Sequence, residues 1–167
     1  MLAFFRAPVK LVSRESDRLV FRLDSREYDA LRAAVALRSH LTRRPRPLTG
    51  DTAIPAALRE AEAELSVALA EHRQDLTTGV DALLNDPARC AAQSRGVHRL
   101  TLSTADANLL LQALGDLRMG AWERLGCPDF EAGERPGVNE DNFLCLWAMQ
   151  VSDLFQAHLL RGLMGDD

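Results

Sequence analysis

Lysine is nearly missing from this chain: Lys10 is the single one among 20 basic residues, and the rest are arginine. That skew fits a GC-rich coding bias better than selection for bidentate contacts. Aromatic residues make up only 5% of the sequence, so aliphatic side chains must fill the interior. Cysteine is sparse too. Cys90, Cys127 and Cys145 are widely spaced and odd in number, which argues against a disulfide framework. No apolar run approaches the roughly eighteen residues needed to span a bilayer, so no membrane association is expected. The opening MLAFFRAPVK is too short in its apolar part for a secretory signal. A reducing cytoplasm is therefore the expected location.

Ligand motifs are also lacking. Metal sites commonly announce themselves by close spacings such as C-x-x-C or H-x-x-x-H, and neither occurs. GDLRMG and GERPG lack the strand–loop–helix setting that turns a glycine-rich segment into a phosphate cradle. No cofactor and no catalytic residue are expected from these patterns.

What is present belongs to one globular domain, residues 1–167, large enough to bury a real core. Its net charge of −4 is unevenly spread. Residues 1–50 hold 11 basic and 5 acidic side chains, a local +6; residues 51–167 hold 9 and 19, a local −10. The two parts attract one another, so the asymmetry need not imply an external partner.

Apolar alternation at Leu19, Phe21 and Leu23, after a polar break at Arg14–Asp17, predicts a β-hairpin arm over residues 8–24. Asp24 with Glu27 three residues on resembles a capping box and opens a helix over 25–41. Two prolines, Pro45 and Pro47, end it. Leu58, Leu65, Leu69, Leu76 and Leu83 predict a helix or helix pair over 54–85, and residues 88–96 read as an irregular connection. Alternation predicts a strand at 97–102. Ser103 and Asp106 repeat the cap before a helix at 104–125, and a last helix runs over 140–163. The fold class is mainly α (α+β): four to five helices packed on a small antiparallel sheet made of the hairpin and one later strand.

Val20–Arg38 and Arg99–Arg118 echo one another when Phe21 is aligned with Leu100. Strands leading into capped helices read this way by local physics alone, and true duplication is the alternative. The later copy, LSTADANLLLQALGDLRMGAWERLG, resembles an uncharacterised bacterial family, domain of unknown function family 2017, known mostly from actinobacteria. Leu111, Leu114, Asp116, Leu117, Arg118, Arg124, Leu125 and Gly126 carry the likeness; Gly115 stands where that family usually has Asn. The resemblance implies no established activity, cofactor or catalytic residue. Its members are often encoded near the adaptor of a Clp-type protease, which implies a link to proteostasis by association only.

The candidate polar residues are Asp116, Arg118 and Arg124, together with Arg43, Arg44 and Arg46, which with Arg38 form the one basic cluster. Arg118 is expected to meet an acid from another element, with an external carboxylate or phosphate as the alternative. His72 and His158 lie on apolar stripes and read as core residues. Phe143, Trp147, Val151, Leu154 and Phe155 form an apolar sector broad enough for deep burial or an oligomer contact.

The expected function is that of a non-enzymatic cytoplasmic protein acting through protein contacts, as adaptor, regulator or assembly component. A homodimer using residues 143–163 is expected; any other protein partner is not specified by the sequence. Two alternatives stand beside this. One is an enzyme whose site assembles only in three dimensions, which a pocket holding two or more of His98, Cys127, Cys145, Arg118 and Asp116 would indicate. The other, a less favoured one, is nucleic-acid binding through the Arg38–Arg46 cluster, in an acidic chain with no aromatic set for stacking.

Overall fold

The computed structural model describes residues 9–15, 17–42, 55–129 and 137–165. Among them, four helices pack on a four-stranded antiparallel sheet, an α+β fold. Strand β1 (Lys10–Glu15) and strand β2 (Arg18–Asp24) form the expected hairpin, with a bulge at Val12 between Leu11 and Ser13. Strand β3 (Cys90–Ala92) and strand β4 (Val97–Ser103) form a second hairpin, and the sheet order is β1-β2-β4-β3. The segment 88–96, read from sequence as irregular, thus holds a fourth strand. Cys-Ala-Ala has no alternation of its own and becomes a strand only by pairing with Arg99 and its neighbours. Arg95 and Gly96, with φ of 64° and 70°, make the left-handed turn that joins β3 to β4.

Helix α1 (Ser25–Leu41) begins directly at the end of β2, and the capping box is present in full. The Asp24 carboxylate accepts from the Glu27 amide at 2.8 Å, and Glu27 Oε2 accepts from the Asp24 amide at 2.8 Å. Helix α2 (Ala56–Asn85) is one continuous helix rather than two. Helix α3 (Thr104–Arg124) repeats the box with Ser103 and Asp106. Helix α4 (Phe143–Met164) starts three residues later than the periodicity suggests, because Asn139 and Asn142 bind one another's backbone in a polar turn. Gly165, at φ 82°, closes α4 in the left-handed conformation.

One face of the sheet is apolar. Leu19, Phe21 and Leu23 of β2 and Leu100 and Leu102 of β4 point inward and are buried with Leu31, Leu110, Leu114 and Leu117 of α1 and α3. Each such side chain contributes about 1.5–3 kcal/mol by leaving water. At Gly162 an added Cβ would lie 3.2 Å from Phe21 and 3.3 Å from Leu19, so α4 rests directly on β2 there. The residues aligned in the sequence echo, Phe21 and Leu100, are also direct cross-strand partners. Because β2 and β4 run antiparallel and each leads straight into a capped helix, the two helices start from opposite ends of the paired strands.

Among the described residues Glu27 is the one buried carboxyl, only 2% exposed, and its Oε1 has no hydrogen-bond partner. Burial pushes its pKa above the ordinary 4.5; the Asp24 amide opposes this and the Asp24 charge adds to it. A carboxyl raised on folding favours the native state most below its unfolded pKa. That contribution fades as pH rises through the folded value. Glu27→Gln keeps an acceptor for the Asp24 amide while removing the buried charge. Urea titrations are expected to show the variant gaining on the native protein as pH rises from 4 to 7. A constant difference between the two at both pH values would refute that assignment.

Candidate interaction surface

Asp116 and Arg38 meet at the junction of α1, α2 and α3. Arg38 is 4% exposed, and its Nη1 lies 3.2 Å from Asp116 Oδ2. Its Nη2 donates to the Arg73 carbonyl at 3.1 Å and to the Thr77 hydroxyl. Arg38 therefore leaves the basic cluster it belonged to in sequence, because its Nη1 and Nη2 donate into the helix junction. Arg43, Arg44 and Arg46 lie outside the described residues.

Arg124, two turns past Asp116 on α3, donates to the His40 carbonyl where α1 ends. Arg118 reaches α4, with Nε 3.1 Å from Asp153 Oδ1, both side chains about half exposed. An exposed pair of this kind contributes little to stability. Beside it, Met119, Trp122 and Met149 complete a shallow notch of about 180 Å³. The Trp122 indole donates to the Pro128 carbonyl at 3.0 Å, which fixes the ring.

The five side chains of the assembled-enzyme alternative have separate surroundings. His98 stacks on Tyr28 with ring centroids 4.1 Å apart. Cys145 is buried and Cys127 is exposed beyond the end of α3. Asp116 and Arg118 are held by Arg38 and Asp153. Cys90, outside that set, is half-buried, and burial raises its thiol to about 11, which leaves it a poor nucleophile at neutral pH. His158 is held below its ordinary 6.5 by burial and then by Arg161. Among the described residues, no three His, Cys, Asp or Glu side chains gather as a metal site, and no helix is long and apolar enough to cross a membrane.

Of the sector on α4, Val151 and Phe155 are buried in the chain's own core, against α3 and the sheet. Those two are not available to a partner. Trp147 and Leu154 are half-buried and Phe143 is exposed.

Another exposed apolar surface lies on α2, where the sequence did not separate covered from uncovered leucines. Leu76, Val80, Leu83 and Leu84 are buried, and the ties from Arg38, Tyr28 and Arg32 to this helix all fall between Arg73 and Asn85. Leu58, Leu65 and Leu69, on the same face, are 59%, 46% and 37% exposed. The first half of α2 is thus an arm beyond the packed body.

The outer face of the sheet is charged. Lys10 stands opposite Arg22, and Arg22 opposite Arg99, so three cations occupy one row across three strands. Strand parity alone places Arg22 and Arg99 on that face, a signal the sequence contained. In the adjoining row stand Ser13, Val20 and Thr101, with bulged Val12 60% exposed beside them. A concavity of about 380 Å³ lies among Val12, Ser13, Val20, Arg22, Gln93 and Arg99.

Comparison of the chain with family models, characterised proteins and solved structures finds no match.

Proposed function

We propose that this is a non-enzymatic cytoplasmic protein that acts through protein contacts, as an adaptor, regulator or assembly component, and that the first half of α2 is its contact element. The carrying observation is the exposure of Leu58, Leu65 and Leu69 on the face that the second half of the same helix buries. Helices draw most of their stability from packing an apolar face, so an arm whose face is open gains by docking. In this reading the dimer contact moves from residues 143–163 to α2, since Val151 and Phe155 are spent on the core. Kinship with domain of unknown function family 2017 belongs to the same proposal; it rests chiefly on residues 102–126, with the N-terminal hairpin and the tryptophan-bearing last helix also suiting that family.

A photoreactive residue placed at Leu65 and irradiated in the native host is expected to give discrete covalent adducts. The same residue at exposed Gln74, on the opposite side of α2, is expected to give none. Equal labelling at the two positions would remove α2 as the contact element.

A further inference from the structure

We infer that the partner of the α2 arm is a second copy of this chain, and that the arm lies across the cationic outer face of that copy's sheet. The inference rests on the reading of α2 as a contact element and names its occupant. Like charges placed directly opposite on neighbouring strands are destabilising. Lys10, Arg22 and Arg99 form such a row, and Ala91 continues it without an acid. Among the described residues none of these three side chains makes an ion pair or hydrogen bond. A row of this kind calls for an anionic cover.

The arm supplies one of matching size. Glu60, Glu64, Glu71 and Asp75, at steps of four, seven and four residues, line one exposed side of the helix, roughly a third of a turn round from its apolar stripe. Glu64 and Glu71 are two turns apart, about 10.5 Å along the axis. The row from Lys10 to Arg99 covers two strand spacings, about 10 Å. A helix crossing the strands along that row sets its acidic flank over the cations. Its apolar side then lies towards the neighbouring row, where exposed Val12 borders the concavity. Charge and apolar surface match in the same orientation.

The contact must be between copies. α2 is continuous, and its second half is anchored to α1 and α3 on the helical side of the sheet. Its own arm cannot reach the outer face without breaking the helix. Reciprocal exchange of two arms closes as a two-fold dimer, the commonest symmetry of soluble oligomers.

Charge exchange tests this by sedimentation equilibrium on the full chain, with circular dichroism to confirm folding. The native protein is expected to dimerise, more weakly as salt rises. Arg22→Glu/Arg99→Glu alone and Glu64→Lys/Glu71→Lys alone are each expected to weaken dimerisation by about tenfold or more, the scale for loss of close charge pairs. An equimolar mixture is expected to recover native affinity, because both contacts of the mixed dimer are again complementary. A monomeric native protein, or a mixture no tighter than its components, overturns the inference. Should the Leu65 adduct contain a different protein, the contact role of α2 stands and the second copy falls.

Discussion

Asp116→Ala is expected to cost about 3 kcal/mol, the low end of what breaking a buried ion pair costs, and to cost more than Arg38→Met. The two partners are unequally buried. Arg38 is 4% exposed, whereas the Asp116 side chain is 38% exposed. Removing the carboxylate strands a guanidinium inside the junction of three helices. Removing the guanidinium leaves a carboxylate that water can reach, and methionine refills the volume of the arginine stem. Arg38 keeps the Arg73 carbonyl and the Thr77 hydroxyl in the Asp116 variant, which is why the low end applies. Thr77 is already tied to the Arg73 carbonyl at 2.7 Å, so it is not orphaned when Arg38 goes. The double variant should recover part of the Asp116→Ala loss, since the orphaned charge is gone. Urea titrations of the four proteins decide the matter. A double variant as unstable as the sum of the singles would show the pair to be energetically uncoupled.

The same residues show what the sequence could and could not say. The capping boxes at Asp24–Glu27 and Ser103–Asp106 were legible because each is complete within four residues. The inward faces of β2 and β4 were legible by alternation. Arg38 was not, because its partners Thr77 and Asp116 stand 39 and 78 residues away, and burial is a property of their meeting. β3 was hidden for a related reason: its strand character comes from its neighbour. The stripe on α2 runs without change of period from Leu58 to Leu83. Periodicity names the face of a helix, and only the fold says where its cover ends. On α4 burial divides the sector in a way that breadth alone does not reveal: Val151 and Phe155 are covered from within by α3 and the sheet, while Phe143 stays exposed.

The unequal treatment of two glycines on α3 gives the other large effect. Gly120→Ala is expected to destabilise by about 1–3 kcal/mol, the cost of forcing volume into a packed contact. An added Cβ would stand 2.8 Å from the Leu41 carbonyl oxygen and 3.0 Å from the Leu41 carbonyl carbon and Thr42 Cα. All three are backbone atoms at the end of α1, fixed by the Thr42 amide and hydroxyl, which both donate to the Arg38 carbonyl. Arg124, one turn on, grips the neighbouring His40 carbonyl, so α1 cannot slide aside. Gly115→Ala is expected to have the opposite sign. Its Cβ would meet only Gln156 Nε2, at 3.5 Å, an ordinary contact. Relief of glycine's backbone entropy should then stabilise by up to about 1 kcal/mol. At roughly 2–4 °C per kcal/mol for a chain of this size, the two Tm values should move in opposite directions and separate by several degrees. The control matters because both substitutions carry the same intrinsic helix gain, so their difference isolates the close approach of α3 to α1. Parallel shifts would mean that the end of α1 gives way at Gly120, and that the Arg38 junction beside it is looser than its hydrogen bonds suggest.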